Sequence, residues 1–131
     1  MNKIETSISE ISTKDKVSLV SFTVVEETLE MISLGVSEDL AVGSRVCVGV
    51  KASNIILARS KVSGVSITNQ IEVKVTALTK GSVLCSVKFT FEGVTWESIV
   101  TQKSADLMHL HVGDTVVALI KSSDLSIVEV L

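Results

Sequence analysis

The chain has 131 residues, 46% of them apolar, and a formal net charge of −3. That balance argues against nonspecific nucleic-acid binding, which needs clustered Lys and Arg to displace counterions; three Phe, one Trp and no Tyr also leave few platforms for base stacking. No charge-free apolar run approaches the roughly 20 residues of a membrane span, and no basic-then-apolar leader follows Met1, so a cytoplasmic protein is expected.

The apolar mass is Val, Ile and Leu, which suit pleated, half-buried surfaces. Period-two alternation predicts strands over 4–11, 17–25 and 28–34, a helical turn over 37–40, and strands over 46–50 and 55–58. Residues 61–65 read as a linker. The series then recurs: strands over 71–78, 83–91 and 95–100, a helical turn at 104–107 with Ser104 as its N-cap, and strands over 116–120 and 125–130. Cys47 and Cys85 fall inside aliphatic runs and read as small buried hydrophobes rather than a disulfide or redox pair.

The recurrence is a sequence repeat. From Asn2 on Asn69, an offset of 67 holds for about forty residues: Ile4, Val20, Phe22, Glu30, Ser37 and Leu40 meet Ile71, Val87, Phe89, Glu97, Ser104 and Leu107. Three extra residues near His109 to His111 raise the offset to 70, after which Gly43, Val46, Lys51 and Ser53 meet Gly113, Val116, Lys121 and Ser123. Each half is therefore one structural unit, a first module over 1–60 and a second over 66–131. A unit of about 60 residues buries only about 60% of its unfolded surface and needs a partner to pack against. Five short antiparallel strands per unit suggest an all-β protein of two tandem OB-like barrels, each with one short helical turn.

Catalysis finds no support. Neither Cys has a matching His, and there is no Gly-x-Ser-x-Gly elbow and no Gly-rich phosphate loop. His109 and His111 share a side only if extended, lie in the insertion, and have no further Cys or His close in sequence; a solvated loop is the better reading than a metal site. The repeated polar feature is Lys51-Ala52-Ser53-Asn54 and Lys121-Ser122-Ser123-Asp124, each between two aliphatic strands. A surface β-turn accounts for either alone. A positive charge beside hydroxyls and free turn N–H groups also suits a small oxyanion, and the pattern leaves both readings open. Thr101, Ser104 and the counterpart Ser37 form a second donor cluster at the predicted helix starts, and Ser66-Ile67-Thr68-Asn69-Gln70 opens the second module.

Four segments carry a resemblance: Ser66 to Gln70, Lys80-Gly81-Ser82-Val83, Thr101-Gln102-Lys103-Ser104, and the long stretch from Gly113-Asp114-Thr115-Val116 to Lys121-Ser122-Ser123-Asp124. Gly49-Val50-Lys51-Ala52-Ser53-Asn54 repeats the core of the last. Over nearly its whole length the chain resembles a tandem pair of molbindin modules, also called Mop or TOBE domains, which bind molybdate or tungstate. The resemblance implies a cytoplasmic oxyanion store without enzymatic activity, organic cofactor or coordinated metal cation. It also implies a homo-oligomer, a trimer for a two-module chain, with anions held between modules and subunits. Carried over, Lys121, Ser122, Ser123, Thr101, Ser104, Ser66, Thr68 and Asn69 ring one class of site, and Lys51, Ala52, Ser53 and Ser37 the equivalent class, with Ala52 and Ser122 acting through backbone N–H. The alternative is the ligand-sensing part of a molybdate-responsive transcription regulator, which would dimerise; a regulatory extension of a transporter ATPase is a further reading. Thr68 stands where the family has Arg, Met1-Asn2 lacks the preceding Ser-Ala, Thr13-Lys14-Asp15-Lys16 lacks the turn Gly, and Leu84 replaces an Asn. The two halves are thus expected to bind unequally.

Overall fold

A computed structural model describes residues 1–24 and 26–131, and among them ten strands form where alternation or an aliphatic run predicts them. They are β1 (Asn2–Lys14), β2 (Val17–Val24), β3 (Glu27–Ser33), β4 (Arg45–Val50), β5 (Ile56–Ala58), β6 (Asn69–Lys80), β7 (Leu84–Phe91), β8 (Val94–Thr101), β9 (Thr115–Ile120) and β10 (Ser126–Val130). The expected end of the second strand, Val25, lies outside the described residues. One helix, α1 (Gln102–Leu107), and a 3-10 turn at Ala52–Asn54 complete the elements. No helix among the described residues is long and apolar enough to cross a membrane.

The first half departs from the expected helical turn. Residues 37–40 make a turn closed by Leu40 N–H to the Ser37 carbonyl at 3.0 Å, with no helix. In the second half Thr101, not Ser104, caps α1: its hydroxyl oxygen accepts the Ser104 N–H at 3.0 Å. Leu34 stands at the Thr101 position in the first half and offers no acceptor, so the first N–H groups of a helix there would go unpaired.

The strands build two five-stranded antiparallel sheets, ordered β10-β4-β1-β2-β3 and β5-β9-β6-β7-β8. Four strands of each come from one half and the fifth from the other. The sheets cut across the division expected at 1–60, 61–65 and 66–131: β5 pairs Ile56–Ala58 with β9, and β10 pairs with β4. The receiving strands sit inside their sheets and are buried on both faces beyond their first residue. This is why 46–50 and 116–120 read as continuous aliphatic runs rather than alternations.

The repeat survives in atomic detail. Bulges interrupt β1 between Ile8 and Glu10 and β6 between Val75 and Ala77. Gly43 and Gly113, at φ 93° and 96°, each donate an N–H at 2.8 Å to the carbonyl before the bulge, those of Ile8 and Val75; such positive φ suits glycine at low cost. In the hairpin between β1 and β2, Asp15 and Lys16 take φ of 52° and 66°.

One continuous core runs through both sheets, from Ile4, Val20 and Phe22 to Phe89, Trp96, Ile120 and Leu125. Polar pins fasten it crosswise. The Asn2 amide donates to the Glu97 carbonyl and accepts the Glu97 N–H, both at 2.8 Å. Asn69 makes the same pair with Glu30, again at 2.8 Å. Asn69, read from the sequence as a donor to the anion, is 1% exposed and occupied as a pin between β6 and β3. Asn69→Ala would leave a buried N–H and carbonyl unpaired, so a loss of about 1–3 kcal/mol is expected, measurable by urea denaturation; an unchanged midpoint would contradict the pinning role.

Candidate functional site

Strand exchange decides which candidate donors meet. The Ala52–Asn54 turn of the first half packs on β8 of the second, and the Ser98 hydroxyl fixes it by donating to the Ile55 carbonyl at 2.7 Å. Ser53 therefore lines one groove with Thr101 and Ser104, walled by Ile56, Ile99 and Leu107, with a volume of about 520 Å³. The turn at 121–124 packs on β3, where the Ile32 N–H donates to the Ser122 carbonyl at 3.0 Å. A second groove, of about 510 Å³, joins Ile32, Leu34 and Ser37 of the first half to Leu125, Ser126 and Ile127 of the second.

The two grooves are repeat equivalents: Ile32, Leu34, Ser37 and Leu40 stand for Ile99, Thr101, Ser104 and Leu107. The sequence grouped Lys121 with Thr101 and Ser104, and Lys51 with Ser37. Within the chain the turns pack the other way round, the 51–54 turn on β8 and the 121–124 turn on β3, because each turn precedes the strand that leaves for the other sheet; Lys51 and Lys121 themselves line neither groove.

The lysine turns match closely. Residues 51–56 and 121–126 share one burial sequence, with the Lys exposed, the next residue half-buried and the Ser exposed. In each, the N–H of the fourth residue returns to the Lys carbonyl at 2.9 Å, Asn54 to Lys51 and Asp124 to Lys121. Across the first groove, Thr101 Oγ1 donates to Ser104 Oγ at 2.7 Å while accepting the Ser104 N–H. The Ser104 hydroxyl proton is thereby left to point outward as a donor. Ser66 and Thr68 lie on the exposed connection between β5 and β6 and line neither groove. That connection is tied down by Gln70, whose Nε2 donates at 2.9 Å to the carbonyls of Val62 and Ile67.

No cluster of three or more His, Cys, Asp or Glu capable of holding an ion occurs among the described residues. His109 and His111 sit in an exposed turn, with His109 at φ 52° and the His111 ring nitrogen 2.8 Å from the His109 carbonyl. Cys47 and Cys85 are free and buried, and burial pushes the Cys85 thiol up.

Residues 65–127 match the family model of the TOBE domain. Residues 65–127 form a TOBE domain. The match spans β6 to β9 and reaches into β10, so it includes the lysine turn at 121–124 and the Thr101–Ser104 pair. No curated protein matches the chain. Among solved structures, the chain is similar to the cytoplasmic molybdate-binding protein ModG in a crystal form with molybdate bound, at TM-score 0.86 and 22% identity over 99% of this chain and 96% of that one. At that identity the likeness establishes the fold.

One residue that bonds the Met108 end of the first groove's wall was not singled out from the sequence. Arg59, just past β5, reaches the turn after α1. Its signal was a mismatch: the repeat places Glu129 at its counterpart, and the 109–111 insertion faces it. Arg59 Nη1 meets Asp114 Oδ2 at 3.0 Å, and the same carboxylate oxygen accepts the His111 N–H at 2.9 Å. The His111 N–H, then the Arg59 hydrogen bond and charge, hold the Asp114 carboxyl below its ordinary value of 3.8. A carboxylate with a lowered folded pKa stabilises the fold fully at neutral pH, and this contribution is lost as pH falls through the folded value. Asp114→Asn is therefore expected to lower stability by a constant amount above about pH 5, the gap closing in stronger acid. Urea melts across pH check this; a gap that widens in acid would contradict it.

Proposed function

We propose that this chain binds molybdate or tungstate for cytoplasmic storage and homeostasis, acting as a binder and not as an enzyme. Its two modules, 1–60 and 66–131, each form an OB-like barrel completed by the last strand of its twin. The observation that carries the reading is the crossed groove, where Ser53 beside Lys51 comes together with Thr101 and Ser104 from the other half. Hydroxyls and turn N–H groups offer donors, the Lys offers charge, and a tetrahedral dianion that only accepts hydrogen bonds matches that shell. The TOBE match and the molybdate bound by ModG support the choice of anion.

Both grooves are open, and large apolar side chains stand exposed beside them, Leu34 at 83% and Leu107 at 71%. Patches of this kind mark association surfaces. A homotrimer would cover them and complete each site with donors from a neighbouring copy, including the exposed Ser66 and Thr68. Calorimetric titration with molybdate, tungstate, sulfate and phosphate tests the reading. Uptake of molybdate or tungstate in preference to sulfate and phosphate is expected; neither heat nor a thermal shift at millimolar molybdate or tungstate would overturn it. Light scattering giving the mass of one or two chains would overturn the trimer.

A further inference from the structure

We propose that Arg59 is a positioning residue: it latches exchanged strand β5 to the end of α1 and so holds the Ser53–Thr101–Ser104 groove in one shape, a restraint the Ser37 groove lacks. The effect on binding rests on the oxyanion reading above; the latch itself does not.

The guanidinium makes a fork. Nε donates to the Met108 carbonyl at 3.1 Å, Nη2 to the carbonyls of Met108 and, at 2.7 Å, His109, and Nη1 to Asp114 at 3.0 Å. Both carbonyls lie just beyond the C-terminus of α1, where backbone acceptors have no following turn to pair with and a cation is favoured. A helix of six residues does not hold itself in water and depends on ties at its ends. At its start the Gln102 N–H donates to the Val83 carbonyl at 2.8 Å. At its finish Arg59 supplies the tie, and Leu107 and Met108, on the latched end, wall the groove that Ser104 opens into. A planar fork with five donors serves three acceptors at once, which a lysine ammonium does not reproduce.

The equivalent place in the first half has none of this. Glu129 replaces Arg59, the 109–111 insertion is absent, and Ser44 replaces Asp114. The turn itself is kept: the Ala41 N–H donates to Ser44 Oγ at 3.0 Å as the His111 N–H does to Asp114. Only the charge and its latch are missing, and the wall over 37–40 is a turn rather than a helix. One groove therefore carries a restraint that the other lacks, and such pre-organisation lowers the ordering cost of binding.

Hydrogen exchange of the unliganded protein, read by mass spectrometry, tests the latch. In Arg59→Ala the amides of Met108, His109 and Leu110, which close the last turn of α1, should exchange about tenfold faster or more, as local opening becomes easier. Residues 126–130 of the other exchanged strand should keep their rates. Arg59→Lys keeps the charge beside Asp114 but not the fork, and should stay fast; Asp114→Asn keeps the carbonyl bonds and should stay slow. Unchanged exchange in Arg59→Ala, or full rescue by Lys, would overturn the latch. In molybdate calorimetry Arg59→Ala should weaken one class of site about tenfold and spare the other; equal weakening of both would overturn the positioning role. Failure of the unaltered protein to take up any oxyanion would remove the proposed function and the positioning role with it, while the exchange rates still decide the latch.

Discussion

Trp96→Ala is expected to destabilise the protein by about 3–5 kcal/mol, the cost of removing a large aromatic from a closed core. Trp96 is 2% exposed and packs edge-on against Phe91, with ring centroids 4.9 Å apart. Its indole N–H leaves the second half altogether and donates at 2.9 Å to the Lys3 carbonyl on β1. The side chain thus closes the core and ties β8 to the other sheet, so its loss leaves both a cavity and an unpaired carbonyl. A fall in Tm of about 10 °C or more follows for a chain this size. Trp96→Phe, which refills much of the volume without the donor, should fall in between. Thermal melts followed by circular dichroism would check both; a melt for Trp96→Ala within a degree or two of the unaltered protein would show that the halves do not depend on this contact.

Lys51→Ala and Lys121→Ala are each expected to weaken molybdate binding about 10- to 100-fold at one class of site, since a charge-assisted hydrogen bond is worth about 1.5–3 kcal/mol. Because the turns are crossed, Lys51→Ala should affect the class containing Thr101 and Ser104, and Lys121→Ala the class containing Ser37. Thr101→Ala should reproduce the first pattern, as it removes the acceptor that orients Ser104. Lys16→Ala, in the β1–β2 hairpin, should leave both classes unchanged. Calorimetry at two salt concentrations would show the charge directly, since screening by added salt should narrow the gap between Lys51→Ala and the unaltered protein. Identical isotherms for all four variants would remove these lysine turns from the site.

Much of the fold was legible because alternation, continuous aliphatic runs and turn residues are local signals. Ile71, Val73 and Val75 are buried while Glu72 and Lys74 are exposed, as their spacing predicts. The repeat carried over to bulges, pins and turns because equivalent residues occupy equivalent environments. Legibility failed where partners decide. Asn69 looked like an available donor until β3 was placed beside it. Ser37 has no helix around it, where Leu34 and Gly35 stand at the positions of Thr101 and Gln102. Arg59 had no local pattern at all, and its role depends on the carbonyls of Met108 and His109, about fifty residues away.

By itself the sequence determined an all-β chain in two equivalent halves, each with an aliphatic core and one lysine turn, and the family to which its second half belongs. Which lysine turn packs beside Thr101 and Ser104, and which beside Ser37, came from the tertiary fold alone. The physical reason is the repeat itself. β5 and β10 follow equivalent turns, and β4 and β9 are equivalent aliphatic receivers, so local pairing preferences do not distinguish a strand that stays from one that crosses. The choice falls to the shared core, the crosswise Asn pins and the Arg59 fork, all contacts between residues far apart in the chain.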